Sequence, residues 1–167
     1  MADTRFTIEP LTLAHRRAAF SCGDPALDAF IRQYARQQQA RGLNRTYVAL
    51  AVDVGDIAGY YSINASSVLT AELPADLKLP RYPVPVLRIG RLAVDTRFQG
   101  QGLGQLLLRH GLKLALEMAQ RVGIFGVVVD AKNARAAAFY KKLGFAPFAS
   151  RPLSLYLALG TLSAAIG

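Results

Sequence analysis

The sequence predicts one mixed α/β domain, a central mixed β-sheet flanked by helices, and three observations carry that expectation. A chain of 167 residues, 52% apolar and 19% charged, can bury one core and leaves no room for a second. Its first half reads as a helix followed by a two-stranded hairpin. Its second half alternates strand, turn, helix, strand, helix and strand. A single domain over 1–167 is therefore expected.

Taken in order, Asp24-Pro25 is a helix N-cap followed by proline at the first helical position. Leu27, Phe30, Ile31 and Tyr34 then recur at helical spacing until Gly42, which predicts a helix over 25–41. Its other face carries Arg32, Arg36 and glutamines, with Arg41 and Arg45 just beyond, a cationic surface or simply a solvated one. Residues 47–53 and 57–63, around Val54-Gly55-Asp56, read as a hairpin. The proline-bearing stretch 73–85 is a loop. A strand broken at Gly90 is expected over 86–94. Leu103, Leu106, Leu107, Leu114 and Met118 make an apolar face, giving a long helix over 103–121 ended by Gly123. Residues 124–130 form a continuous apolar run and a buried strand. An alanine-rich helix over 134–143 stops at Gly144, and 153–159 is the last strand.

Several functional classes are disfavoured. The longest apolar runs fall short of the ~20 residues a membrane-spanning helix needs. Residues 1–10 mix charges early and lack a signal-peptide apolar core, so a cytoplasmic protein without membrane contact is expected. One cysteine, Cys22, and two histidines, His15 and His110, make neither a disulfide nor a metal cluster, and no metal is expected. Cys22 and His15 are assigned to structure, and His110 lies mid-helix after the glycine turn without a visible partner. Lysines and arginines number 20 against 11 acids, a net charge of +9. That suggests a polyanionic partner, although a basic surface alone does not require one.

The chemistry concentrates between 95 and 104, Asp-Thr-Arg-Phe-Gln-Gly-Gln-Gly-Leu-Gly. Alternating glycines at 100, 102 and 104 free the backbone to aim N–H groups at one point, at a helix N-terminus that favours an anion. A Rossmann fingerprint fails at Gln105, and no Gly-Lys-Ser/Thr follows to make a P-loop. The remaining spacing is Gln99-x-x-Gly102-x-Gly104, a pyrophosphate turn or a plain glycine-rich loop.

With Arg91-Leu-Ala-Val-Asp95 before this turn and Asn133-x-x-Ala136-x-x-Phe139-Tyr140-x-x-x-Gly144-Phe145 after it, the chain resembles the GNAT acetyltransferases. The resemblance implies a single-domain fold whose sheet splays between the strands 86–94 and 124–130 to take acetyl-coenzyme A. It implies cofactor contacts from Leu92, Ala93, Val94, Gln99, Gly100, Gly102, Leu103, Gly104 and Asn133, and a carbonyl-polarising N–H from Leu92. Tyr140 would be the general acid. A phenol of ordinary pKa near ~10 stays protonated at neutral pH and can donate to a thiolate whose conjugate acid lies near ~8.5. A tyrosine beside a phenylalanine on an alanine-rich helix is otherwise an ordinary core residue. No general base is evident on the strand 87–94, which suits a low-pKa amine such as an α-amino group near ~8, of which a substantial fraction is already neutral, over a lysine side chain near ~10.4.

A narrower resemblance runs through Phe20-x-Cys22-Gly23-x-x-x-Leu27-Asp28-x-Phe30, Gly59-Tyr60-Tyr61-Ser62, Pro80-Arg81-Tyr82-Pro83-x-Pro85 and Gly90–Asp95. These segments are similar to the GNAT toxins of bacterial type II toxin–antitoxin pairs. The resemblance implies acetylation of the α-amino group of aminoacyl-tRNA, which blocks translation, a ribbon-helix-helix antitoxin and a homodimer. Arg32, Arg36, Arg41, Arg45, Arg81, Arg88 and Arg91 become candidate RNA contacts, with Arg88 and Arg91 equally readable as ion-pair partners of Asp95 or other acids. An ordinary acetyltransferase of small amines or protein N-termini, or a non-catalytic nucleic-acid-binding protein of the same fold, are the alternatives.

Overall fold

In the computed structural model of the chain, residues 5–166 are described. The opening four residues of the segment read above as lacking a signal sequence, and Gly167, lie outside them. The chain groups into two compact units, the described residues up to Asn64 with Arg91–Gly111, and Ala65–Gly90 with the described residues from Leu112 onward.

In the first unit, β1 (Phe6–Pro10) pairs antiparallel with β2 (Arg45–Ala51), which pairs antiparallel with β3 (Ile57–Val68), whose residues from Ala65 onward belong to the second unit. The hairpin turns about Gly55, at φ 75°, as the sequence predicts, but its first strand ends at Ala51 instead of at 53 and its second runs five residues past the expected end, to Val68. β1 was not expected. Its five residues lack a clean alternation, and it is a strand because β2 offers it a free edge.

The expected helix over 25–41 is interrupted. Asp24 caps α1 (Pro25–Ala29), accepting from the N–H groups of Ala26 at 3.0 Å and Leu27 at 3.4 Å. A π-helical turn, Phe30–Tyr34, then leads into α2 (Ala35–Ala40), and the Ala35 N–H reaches back five residues to the Phe30 carbonyl. The extra residue shifts the register, so Ala35 instead of Tyr34 falls over Phe30. Tyr34, expected in the core, is 48% exposed.

β4 (Val84–Val94) runs through Gly90 without the expected break and begins two residues early, ending the proline loop at Pro83. α3 (Leu103–Ala119) ends before the expected Arg121. Its buried stripe is Leu103, Leu107, Leu108, Leu112 and Ala115, whereas Met118, expected inside, is exposed and Leu106 and Leu114 are half-buried. His110 does have a partner. Its Nδ1 lies 2.6 Å from the Tyr61 hydroxyl, and its ring meets Tyr47 at 5.1 Å. His15 is structural as expected, its Nε2 2.6 Å from Glu9.

In the second unit β4 pairs parallel with β5 (Gly126–Asp130) from Val86↔Gly126 to Ile89↔Val129, while its residues 91–94 belong to the first unit. α4 (Ala134–Lys142), β6 (Ala146–Pro147), β7 (Ser154–Ala158) and α5 (Leu159–Ile166) follow. The strand order is β1-β2-β3-β4-β5-β7-β6, the mixed sheet that the sequence predicts. α5 is a correction. The apolar run ending at Leu159 is extended only opposite β5, and where that strand starts, at Gly126 paired with Ala158, the ladder ends. Without a partner strand, backbone groups are satisfied by turning helical.

Val127, Val128 and Val129 are fully buried, as a strand covered on both faces requires. A Cβ on Gly126 would stand 2.5 Å from the Leu157 carbonyl oxygen. Gly126→Ala is expected to cost about 1–3 kcal/mol by forcing β5 and β7 apart, read as a lower urea midpoint at unchanged slope. An unchanged midpoint would mean the strands yield freely. No described helix is long and apolar enough to cross a membrane, and no described group of three His, Cys, Asp or Glu side chains could hold a metal ion.

Candidate active site

The first unit carries the glycine turn. β4 ends at Val94, and Asp95 caps the 3-10 turn Thr96–Phe98. Its carboxylate, 1% exposed, accepts from the Ser21 N–H at 3.1 Å, the Arg97 N–H at 2.9 Å and the Arg97 Nε at 3.0 Å. Burial alone would raise the Asp95 pKa, but these hydrogen bonds and the Arg97 charge hold it below the ordinary carboxylate range. The Gln99 side-chain amide donates to the carbonyls of Cys22 at 3.1 Å and Val94 at 2.9 Å. Gln99 thus ties the turn to the segment before the first helix through its side-chain NH2 group.

Gly100 and Gly102 have φ of 78° and 82°, a left-handed conformation that side chains strain to adopt, and nothing lies within 4 Å of where their Cβ atoms would project. The Leu106 N–H returns to the Gly102 carbonyl at 3.2 Å, so Gly102 opens α3. The first N–H groups of that 17-residue helix have no intrahelical acceptor. Backbone donors, the positive helix end and open space above two glycines fit a pyrophosphate. Gly102→Val is expected to raise the KM for acetyl-CoA by about tenfold or more, since a β-branched residue at positive φ costs about 1–3 kcal/mol and fills the cradle. An unchanged KM would move the phosphates elsewhere.

The same unit explains the segment around Cys22. The buried Asp28 carboxylate accepts from the Cys22 N–H at 2.8 Å, Gly23 turns at φ 91°, and Cys22 is packed in the core. Leu92 and Val94 are half-buried on one face of β4, and Ala93 faces the core with Tyr60 and Phe30. Gly59 is required by close approach, because a Cβ there would meet the Ala93 carbonyl oxygen and Leu107 at 2.9 Å.

The second unit carries Tyr140 and Asn133. Tyr140 sits on α4 and is 5% exposed, its ring 5.2 Å from that of Phe139 and 5.8 Å from that of Phe145. Burial pushes its phenol above the ordinary range, and the Asp130 charge adds to the shift. The hydroxyl therefore keeps its proton at neutral pH. The Asn133 side chain accepts from the Ala136 N–H at 2.9 Å as the α4 N-cap.

The candidate arginines separate. Arg88 binds Asp130 through Nη1 at 2.7 and 2.8 Å, so its ion-pair reading holds, with Asp130 as a partner the sequence reading did not name. An acid closing an all-apolar buried strand was the available signal. Arg91 does not pair with Asp95, whose cation is Arg97. It lies over the Phe30 ring at 3.8 Å from the centroid, a role for Phe30 that helical periodicity reads only as core. The Arg32 guanidinium donates to the Phe20 carbonyl. Arg41, Arg45 and Arg81 are exposed and Arg36 is half-buried.

Residues 12–145 match the model of the acetyltransferase (GNAT) family. The chain belongs to the GNAT acetyltransferases. It is 34% identical over 151 residues, 89% of each chain, to a protein of Mycobacterium tuberculosis named tRNA-acetylating toxin. Among solved structures it is similar to AtaT complexed with acetyl-methionyl-tRNAfMet, at a TM-score of 0.90 and 30% identity over 97% of this chain and 99% of that one. It is also similar to AtaTR bound with AcCoA, at a TM-score of 0.85 and 30% identity over 98% and 99% of the two chains. As a GNAT chain with a mixed seven-strand sheet, it has the fold that its sequence motifs imply.

Proposed function

We propose that this GNAT enzyme is the toxin of a type II toxin–antitoxin pair and acetylates the α-amino group of aminoacyl-tRNA, blocking translation. The observation that carries the reading is likeness to a tRNA-acetylating toxin over 89% of both chains; the AtaT complexes with acetylated tRNA and with AcCoA support it. Acetyl-CoA, when bound, supplies the acetyl group as an activated thioester. The backbone N–H groups of Gln99, Gly100, Gly102, Leu103 and Gly104 hold its pyrophosphate, and the Leu92, Ala93 and Val94 backbone groups hold its pantetheine arm. The Asn133 oxygen is taken by its helix cap, so a cofactor contact from Asn133 falls to its NH2 group. The Leu92 N–H polarises the carbonyl. Tyr140 holds the proton that the departing thiolate takes at its hydroxyl.

No base is needed on β4. An α-amino group whose neighbouring carboxyl is esterified has lost a negative charge that would raise its pKa, and it is substantially neutral at physiological pH. Arg36, Arg41, Arg45 and Arg81, with weaker claims for Arg32 and Arg88, seat the RNA through its phosphates within a net charge of +9. The protein acts in the cytoplasm as a homodimer neutralised by a ribbon-helix-helix antitoxin.

The test is transfer of labelled acetyl from acetyl-CoA to charged tRNA, deacylated tRNA and a lysine-rich protein. Label on charged tRNA alone is expected. Label on protein or small amines would leave an acetyltransferase of another substrate class, and none on any acceptor would favour a binding protein.

A further inference from the structure

We infer that Arg91 is a preorganised clamp for a phosphate in the single-stranded 3′ end of the acceptor RNA. This rests on the aminoacyl-tRNA reading above. Most arginines with ordered partners are neutralised: Arg88 by Asp130 at 2.7 Å, Arg97 by Asp95 at 3.0 Å and Asp56 at 3.1 Å, Arg151 by Glu72 at 2.9 Å, and Arg16 by Asp56 at 3.3 Å. Arg91 is half-buried on β4, and among the described residues no carboxylate lies within ion-pair distance of it.

Its guanidinium is nevertheless held. The group stacks 3.8 Å from the centroid of Phe30, itself 3% exposed and stacked on Tyr60 at 6.0 Å. Tyr60 in turn donates its hydroxyl to the Leu27 carbonyl at 2.7 Å. Phe30 begins the π-helical turn, whose Ala35 N–H bonds to the Phe30 carbonyl. A guanidinium stacked on a ring keeps its N–H edge available in its own plane, the fork that matches phosphate oxygens. Asp24 and Asp28 carry negative charge near the same Tyr60 side chain as Arg91, but neither makes an ion pair with it, so its N–H edge is left for an incoming anion.

The position on the strand selects the anion. At about 3.3 Å per residue, Arg91 precedes Val94 by about 10 Å, and the glycine turn lies further along the chain. The strand between them is assigned above to the uncharged pantetheine arm, so the phosphates at the turn are not the ones Arg91 meets. At the opposite end of that segment the charged groups belong to the acceptor, and the helix carrying Phe30 continues into Arg36 and Arg41. An RNA phosphate beside the aminoacylated end is the anion of matching chemistry.

The experiment compares wild type, Arg91→Met, which keeps an apolar stem over Phe30, and Arg91→Lys, which keeps the charge without the fork. Each is assayed on charged tRNA and on the same aminoacyl group esterified to adenosine lacking any phosphate. For Arg91→Met the ratio of kcat/KM for charged tRNA to that for the adenosine ester is expected to fall by about tenfold or more, with the salt dependence reduced by the share of one phosphate, a slope change of about 0.7. Arg91→Lys should fall between, and it carries the test if Arg91→Met does not fold. An unchanged ratio, with wild type active on charged tRNA, would overturn the clamp and leave the toxin reading intact. A rise confined to the KM for acetyl-CoA would also overturn it by assigning Arg91 to a cofactor phosphate. Wild type inactive on charged tRNA would overturn both.

Discussion

Replacing Tyr140 by phenylalanine is expected to lower kcat for acetyl transfer by about 100-fold or more while acetyl-CoA binding changes by less than about twofold. Phenylalanine keeps the ring that packs 5.2 Å from Phe139 and 5.8 Å from Phe145, so the substitution removes a hydroxyl and little packing. The chemical step loses its proton donor. The departing thiolate must then leave as an anion or take a proton from water, and ground-state binding of the cofactor is untouched. Because burial, aided by Asp130, raises the phenol pKa, ionisation of Tyr140 should not limit the rate below about pH 10. Single-turnover transfer beside calorimetric titration of acetyl-CoA separates the two effects. A variant with wild-type kcat would place the proton donor elsewhere, and one that loses cofactor affinity in proportion would make Tyr140 a binding residue.

Asp95→Ala is expected to cost about 2–4 kcal/mol of stability, because it removes a buried carboxylate that accepts from two part-buried backbone donors and caps a turn. The Ser21 and Arg97 N–H groups lose their acceptor, at 3.1 and 2.9 Å, together with the Arg97 side chain. The Asp95 N–H to Ala58 carbonyl and Thr96 N–H to Ser21 carbonyl bonds, at 2.8 and 2.9 Å, survive, so the variant should still fold. The pH dependence has a definite sign. The folded-state pKa of Asp95 is lowered, so its contribution is present above the unfolded value near ~3.9 and is lost as pH falls through the lower folded value. Wild-type stability should decline below about pH 4, and Asp95→Asn should show a shallower acid limb. Urea unfolding at pH 7 and through the acid range measures both. A loss under about 0.5 kcal/mol, within the range of ordinary surface substitutions, would make the Asp95 network dispensable.

Much of the backbone around the candidate site was legible because its signals are local. Asp24 caps the helix that it precedes, and glycines at 100 and 102 announce positive φ by composition alone; that Asn133 is also a helix cap came only from the structure. The hairpin around Gly55 and a buried strand within 124–130, observed from Gly126, follow from turn chemistry and an unbroken apolar run. What local pattern could not supply was partnership. Arg88 and Arg91 stand three residues apart on one strand and read alike, yet one is neutralised by Asp130 and the other stacks on Phe30. Those partners come from residues 42 and 61 positions away in the chain, and no periodicity encodes such distances.

The same division accounts for the secondary structure. By itself the sequence determined a mixed α/β chain with its glycine turn between β4 and α3, since caps, turns and apolar runs act within a few residues of themselves. Only the tertiary structure decided that one extra residue enters the first helix as a π-turn and expels Tyr34, that β1 forms on the edge of β2, and that the last apolar run turns helical where β5 ends. In each case the competing local conformations differ little in free energy. The choice falls to whichever one lets a distant surface pack and a backbone donor find its acceptor.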